Sequence, residues 1–131
     1  MGLDMYLFRV REHNTAVDLD VSLEQKELVG QWRKANQIHN WFVQNVQNGK
    51  DDCGSYPVSH EQLQELFNLA NAALKNPELG YKLLPTQEGF FFGSTEYDDD
   101  YIYDLELTIK IIKPLLDGNN SSALYEYTAS W

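Results

Sequence analysis

The chain contains little cysteine and little positive charge, and both shortages limit what kind of protein it is. Cys53 is the only cysteine among 131 residues, so no disulfide bond can form within the chain. This excludes the disulfide-stapled scaffolds that small secreted domains use. The first residues also lack the basic start and apolar stretch of a signal peptide, and we therefore expect a cytoplasmic protein.

Negative charge dominates the composition. The chain has 10 Lys and Arg residues against 20 Asp and Glu residues, for a formal net charge of -10. Such a charge repels nucleic acid and anionic membrane surfaces and attracts cationic partners, although it also serves plain solubility. No apolar run approaches the roughly 20 residues of a transmembrane helix. We therefore expect no direct nucleic-acid binding, no membrane contact and, as the class of partner, a basic protein.

The length and composition are those of one folded domain. A chain of 131 residues is long enough to bury a core without disulfides or metals. Its hydrophobic fraction of 43% and charged fraction of 23% are those of globular rather than disordered chains. We expect a single acidic globular domain over residues 1–131.

Hydrophobic spacing predicts three helices. The first covers residues 31–47, with apolar side chains at three- and four-residue steps. The second begins at Ser59, which has capping-box spacing to Gln62, and stops at Asn76-Pro77, because the residue before a proline avoids helical geometry. The third covers residues 98–116, and its predicted apolar face consists of Ile102, Leu105, Ile109, Ile112 and Leu116.

The two ends of the sequence have the residue patterns of β-strands. Residues 3–10 have apolar side chains at both odd and even positions, so both faces are apolar, which indicates a central strand. In residues 124–131 apolar side chains occur at every second position. Residues 17–21 also alternate, and residues 83–84 and 90–92 flank a turn as a plausible extended pair. These elements predict an α+β fold: a small mixed or antiparallel sheet that includes both terminal strands, with about three helices packed on it.

Acidic residues concentrate at the start of the third predicted helix. Helix capping and the helix dipole explain one or two carboxylates there, but the benefit fades within the first turn and adjacent like charges repel. The interleaved tyrosines, Tyr103 included, add apolar contact area. We predict a docking surface for a basic partner, resembling the phosphate spacing of DNA, formed by Glu96, Tyr97, Asp98, Asp99, Asp100, Tyr101, Asp104 and Glu106.

His39 and Cys53 suggest a second site. A lone histidine on an apolar helical stripe is more often a hydrogen-bonded core residue than a ligand. Imidazole, thiolate and carboxylate groups are nevertheless the ligands of zinc, and acidic residues adjoin Cys53. We therefore predict a zinc site from His39, Asp52, Cys53 and His60, which requires the loop around Cys53 to fold back onto the first helix. No CxxC or HxxxH pair supports it.

Signatures of catalysis are missing from the sequence. There is no P-loop and no dinucleotide fingerprint, and Gly93-Ser94-Thr95 is not a G-x-S-x-G motif. The expectation is therefore a protein without enzymatic activity. A small enzyme acting on a metabolite is the remaining alternative, and a deep polar pocket containing Asn36, His39 and Cys53 would favour it.

Three stretches carry a family resemblance: GLDMYL at 2–7, WRKANQIHNWFV at 32–43, and LPT followed by GFFFGSTEYD between 84 and 98. The chain resembles a family of small bacteriophage and prophage proteins, mostly of unassigned function. The resemblance implies expression in an infected or lysogenic bacterial host, and extends to anti-CRISPR proteins that act on Cas9 of type II-A systems. It implies no catalytic residues.

Cas9 holds nucleic acid in positively charged channels, so an acidic competitor suits it. The expected function is thus an anti-CRISPR inhibitor that binds Cas9 and blocks target DNA. The alternatives are a zinc-binding structural or regulatory module and a small enzyme acting on a phage or host metabolite.

Overall fold

The computed structural model describes residues 2–11, 25–89, 93–117 and 124–131. The strands are β1 (Asp4–Arg11), β2 (Gln25–Arg33), β3 (Ser55–Val58) and β4 (Leu124–Ser130). The helices are α1 (Asn36–Asn45), α2 (His60–Lys75), α3 (Gly80–Leu83) and α4 (Asp99–Asp117), with a 3-10 turn at Pro77–Leu79. The predicted α+β class is confirmed.

The four strands form one antiparallel sheet in the order β2-β1-β4-β3. The first and last strands along the chain therefore lie side by side at the centre of the sheet. Met5 of β1 is buried and stands opposite both Trp32 of β2 and Ala129 of β4. Apolar residues of β1, β2 and β4 join those of α1, α2 and α4 in one core.

Helix α2 follows its sequence signals. The Ser59 hydroxyl accepts from the Gln62 amide at 3.1 Å, and the Ser59 amide donates to Gln62 Oε1 at 2.9 Å. This reciprocal pair is the predicted capping box, and it satisfies two amide groups at the helix start. The helix ends at Lys75, next to Asn76 and Pro77.

Helix α4 spans 19 residues, and its predicted position is confirmed within one residue at each end. Its buried face is turned slightly from the expected stripe. Leu105 and Ile112 are buried as predicted, whereas Tyr101, Thr108 and Leu115 complete the face instead of Ile102, Ile109 and Leu116, which are partly buried. No helix in the described parts of the chain has the length and apolar character needed to cross a membrane.

The first predicted helix was wrong at both ends. Residues 31–33 belong to β2, and α1 begins only at Asn36 and ends at Asn45. Lys34 has a φ of +56°, so the backbone turns sharply between strand and helix. Trp32 is buried on the strand, and its indole N–H donates to the Thr108 hydroxyl at 2.9 Å. A buried Trp32 fits both the two-residue repeat of a strand and the repeat of a helix. The predicted helix therefore began too early.

Other expectations differ or fall outside the described residues. Leu83 lies in α3 and not in an extended pair, because the chain forms a short helical turn after Pro77. Its proposed partner, 90–92, and the extended segment 17–21 lie outside the described residues. Strand β3 was missed because Pro57 lacks a donor for the ladder, yet β3 is an edge strand, where proline is tolerated.

Candidate functional site

A cavity of about 300 Å³ lies where β2 ends and where α1 and α4 begin. Its walls come from three segments that are distant in sequence: the β2–α1 junction, the described parts of the loop between α3 and α4 (residues 86–89 and 93–96), and the first turns of α4. The junction contributes Arg33 and Lys34. The loop and α4 contribute carboxylates, namely Glu96, Asp98, Asp100 and Asp104. The cavity is therefore polar, and carboxylates outnumber cations around it.

Asn36 holds the loop against α1. Its side chain is buried, and Nδ2 donates to the Ser94 carbonyl at 2.9 Å. Its Oδ1 accepts from the Gln87 amide at 3.1 Å. One buried amide thus fixes both sides of the loop. The sequence suggested Asn36 only as part of an enzyme pocket. Its role in holding the loop was not predicted, because its partners lie 51 and 58 residues away in the sequence.

Gly93 shapes the wall beside Lys34. It has a φ of +86°, in the left-handed region that favours glycine. A Cβ at Gly93 would lie 3.1 Å from Lys34 Cβ, so the loop and the junction are in close contact here. The glycine therefore allows both the turn and the close approach.

The three tyrosines of the predicted docking surface have different positions. Tyr97 and Tyr103 are exposed, with relative accessibilities of 46% and 62%. Tyr101 is buried, and its hydroxyl donates to the Leu84 carbonyl at 2.7 Å. Burial raises the pKa of Tyr101 above its ordinary value, so this hydroxyl remains a donor. Tyr101 lines the cavity while Tyr97 and Tyr103 contribute to the exposed face.

Asp98 is the N-terminal cap of α4. Its Oδ1 accepts from the amides of Asp100 at 3.1 Å and Tyr101 at 3.2 Å. The expectation that capping explains one of the carboxylates is therefore confirmed. Asp99, Asp100 and Glu106 are exposed, and none of the ion pairs among the described residues includes a carboxylate from positions 96–106.

Asp104 lies deeper than the other carboxylates. Gln37 Nε2 donates to the Tyr101 carbonyl at 3.2 Å and contacts Asp104 Oδ2 at 3.4 Å. Burial, together with the negative charges of Asp100 and Asp98, raises the pKa of Asp104 to about 6, against the opposing effect of the hydrogen bond from Gln37. The cavity thus holds a carboxylate that forms no ion pair with a cation of the described residues.

His39 lies in a separate, closed network. Its Nδ1 is 2.7 Å from the Tyr127 hydroxyl, and its Nε2 is 2.8 Å from Asp51 Oδ1. Burial raises the pKa of Tyr127 and lowers that of His39, although Asp51 opposes the latter shift. We assign a neutral imidazole that accepts from Tyr127 and donates to Asp51. His39 is thus a hydrogen-bonded core residue, with the ring of Trp131 also packed near it.

The predicted zinc ligands make other contacts in this structure. Asp52 accepts a hydrogen bond from Tyr56 at 2.7 Å, Cys53 is exposed, and His60 begins α2. Within the described ranges, no group of three or more His, Cys, Asp or Glu side chains could hold a metal ion. Zinc binding stays a prediction, and it requires His39 to exchange one of its present partners for the metal.

These features define the chain as an α+β protein with a polar, predominantly acidic cavity beside α4. Asn36, His39 and Cys53 are not among the residues that line this cavity, so it differs from the pocket that would favour the enzyme alternative. Comparisons with protein-family models, with curated proteins and with solved structures found no match. The function is therefore argued from the site itself.

Proposed function

We propose that this chain is a phage-encoded anti-defence protein that docks its acidic surface on a basic partner. The acidic surface consists of Glu96, Tyr97, Asp98, Asp99, Asp100, Tyr103, Asp104 and Glu106 around the start of α4. The observation that carries the proposal is the exposure of uncompensated carboxylates beside exposed tyrosines. The specific partner, Cas9 of a type II-A system, rests on the family resemblance.

Electrostatics favours this surface as the contact. Asp99 and Asp100 are exposed, and within the described residues neither forms an ion pair. Such carboxylates create a negative potential that steers a basic surface into contact and is screened by salt. Binding to cationic groups then relieves the mutual repulsion of these carboxylates, in addition to forming new contacts.

The exposed tyrosines supply the apolar part of the contact. Tyrosine buries a large ring while its hydroxyl can still form hydrogen bonds, and it is enriched at protein interfaces. Tyr97 and Tyr103 are exposed and can take this role, although the Tyr97 hydroxyl also accepts from the Thr86 amide at 3.2 Å. Tyr101 is buried and bonds to the Leu84 carbonyl. On Cas9, a surface of this kind would compete with nucleic acid for a positively charged channel.

The test compares a variant that loses negative charges at the acidic surface with a control variant that loses the same number of charges away from it. The first variant combines Asp98→Asn, Asp99→Asn and Asp100→Asn. The control combines Glu61→Gln, Glu65→Gln and Glu78→Gln, which are exposed on α2 and the following turn. Both variants lose the same number of negative charges, so a difference between them reports position and not net charge.

Affinity for a purified Cas9–guide RNA complex is measured for each full-length variant, after thermal unfolding has shown that each folds. We expect the first variant to bind at least about tenfold more weakly, and the control to change less than about twofold. Wild-type binding should weaken between about 0.1 M and 1 M salt, where the screening length falls from roughly 10 Å to 3 Å. Equal effects of both variants would sink the proposal of a localised docking surface.

A zinc-binding structural or regulatory module is the second candidate function. One observation favours it: the loop after α1 folds back far enough for Asp51 to contact His39. Cys53 is two residues further along this loop. Elemental analysis of protein purified without added metal tests it, with one zinc per chain expected. Wild-type protein without zinc, even after incubation with zinc salt, would remove this candidate.

A further inference from the structure

We propose that the cavity beside α4 receives one arginine side chain of the basic partner and that Asp104 binds its guanidinium group. This inference rests on the proposed docking function and adds to it the residue type that the partner must present. The argument combines the size of the cavity, its hydrogen-bond acceptors and its aromatic wall.

The cavity has the size for a single side chain. Its volume of about 300 Å³ lies at the lower end of the range seen for ligand pockets. A shallow cavity at the centre of a contact surface is the usual place for an anchoring residue, and arginine is among the residue types that dominate such anchors. A large cofactor would need more space.

Acceptors from two elements face the cavity. Asp98, Asp100 and Asp104 come from the start of α4, and Gln37 comes from α1. Gln37 is only 2% exposed, and its Nε2 is engaged with the Tyr101 carbonyl and Asp104. In the described part of the chain no group donates to its Oε1, although Gln37 lines the cavity. A ligand that supplies several donors satisfies both this oxygen and the carboxylates.

The aromatic wall favours arginine over lysine. Tyr101 and Tyr103 line the cavity, and the Tyr101 hydroxyl is held by the Leu84 carbonyl, so its ring forms part of the wall. A planar guanidinium stacks on such rings and bonds a carboxylate through two parallel N–H groups. An ammonium group is a point charge that matches neither feature as well.

The cations of the wall orient the ligand. Arg33 Nε lies 3.7 Å from Asp4 Oδ1, so part of its charge is already compensated. Lys34 adds a second positive charge at the β2–α1 junction. An arginine side chain is therefore repelled from the junction and attracted towards Asp104 and Asp100 on α4.

Asp104 gains most from a bound cation. Burial and the nearby Asp98 and Asp100 raise its pKa to about 6, and the other charged residues that line this cavity are Glu96, Arg33 and Lys34. A guanidinium beside Asp104 supplies the missing counter-charge and favours its ionised form. Binding should therefore weaken as the pH falls below about 6.

The experiment titrates the full-length chain with N-acetyl-L-arginine amide, followed by backbone amide chemical shifts at neutral pH. N-acetyl-L-citrulline amide is the matched probe, since it keeps the shape and loses the charge. We expect arginine to bind at least about tenfold more tightly than citrulline, with shifts at residues around the cavity.

Two carboxylate variants separate the cavity from general acidity. Asp104→Asn should weaken arginine binding about tenfold, because it removes the charge-assisted bond. Asp99→Asn removes the same charge from a residue that does not line the cavity, and should change binding less than about twofold. Should Asp104→Asn fail to fold, Asp100→Asn, at an exposed cavity residue, takes its place with about a threefold loss expected.

The inference is overturned by equal binding of arginine and citrulline, or by equal effects of Asp99→Asn and the cavity variants. Absence of arginine binding, together with loss of Cas9 binding in the triple aspartate variant, overturns the arginine site and leaves the docking surface standing. Arginine binding in a chain whose triple aspartate variant still binds Cas9 normally overturns the docking proposal, and with it the assignment of this arginine to the partner.

Discussion

The network around His39 and the cavity beside α4 both contain charged and polar groups. These groups differ in how completely they are hydrogen-bonded within the protein. Both nitrogens of His39 have partners within the protein, and Tyr127 and Trp131 pack around the ring. At the cavity, Asp104 has one long contact to Gln37 and a raised pKa. Internal satisfaction is typical of structural polar groups, whereas incompletely satisfied groups at a surface are typical of binding sites.

The two regions should therefore respond differently to substitution. The His39 network should affect stability strongly and binding little. Substitution of the exposed side chains of the acidic surface should affect binding strongly and stability little.

The largest effect on stability is expected for His39→Ala. It removes a buried ring and leaves the Tyr127 hydroxyl without its acceptor, so the free energy of unfolding should fall by about 3 kcal/mol. Gln44→Ala, on the exposed side of the same helix, should stay within about 0.5 kcal/mol. Denaturant unfolding measures both. A loss below about 1 kcal/mol for His39→Ala would show that the network is not a main structural element.

A smaller loss is expected for Tyr127→Phe. The ring stays stacked on Phe42 at a centroid distance of 3.8 Å, and only the hydroxyl donor to His39 is lost. Unfolding free energy should fall by about 1–2 kcal/mol, because His39 Nδ1 is left unpaired in the core. Tyr103→Phe removes an exposed hydroxyl and serves as the control, with almost no change expected. Equal effects would contradict the assigned hydrogen bond.

Gly93→Ala should destabilise the cavity wall by about 1–2 kcal/mol, since an alanine is strained at this positive φ. Gly49→Ala is the matched control: Gly49 has a φ of +79°, but a Cβ there would meet nothing within 4 Å. Both variants share the backbone strain, and only Gly93→Ala adds the contact with Lys34. Denaturant unfolding should therefore show the larger loss for Gly93→Ala, and the reverse order would contradict the close packing of this wall.

The smallest effect on stability concerns the pH dependence of Asp104. Its folded pKa of about 6 exceeds the ordinary 3.8, so the folded state binds more protons than the unfolded state between these values. Stability from this group is therefore present at low pH and is lost as the pH rises through about 6. Asp104→Asn should be more stable than wild type at neutral pH, and the gain should vanish near pH 4.

Asp99→Asn is the control for this pH experiment, because Asp99 is exposed and lies outside the cavity. The titration of His39 contributes equally to wild type and variant and cancels in their difference. A constant stability difference between Asp104→Asn and wild type from pH 4 to neutral pH would contradict the burial of an ionised Asp104.

Local signals predicted the elements whose ends are marked within a few residues. The capping box of Ser59, the stop at Pro77 and the acidic start of α4 depend on neighbouring residues, and they were predicted correctly. The start of α1 was not, because the turn at Lys34 depends on a positive φ that no glycine marks. The hydrophobic pattern alone therefore predicted a helix that included the end of β2.

The site required contacts between distant residues. The acidic run is visible in the sequence, but its approach to Arg33, Lys34 and Gln37 depends on the packing of α4 beside the β2–α1 junction. His39 likewise meets Tyr127, 88 positions away, through the pairing of the terminal strands at the centre of the sheet. Such partners have no local signal in a single sequence.

The central claim is that the surface at the start of α4 is the contact with a basic partner. Hydrogen exchange of the full-length chain, free and bound to a Cas9–guide RNA complex, tests it most directly. We predict that binding slows exchange over residues 93–104, while the outer face of α2 exchanges at its free rate. Slower exchange confined to α2 and β3, with no change over residues 93–104, would contradict the claim.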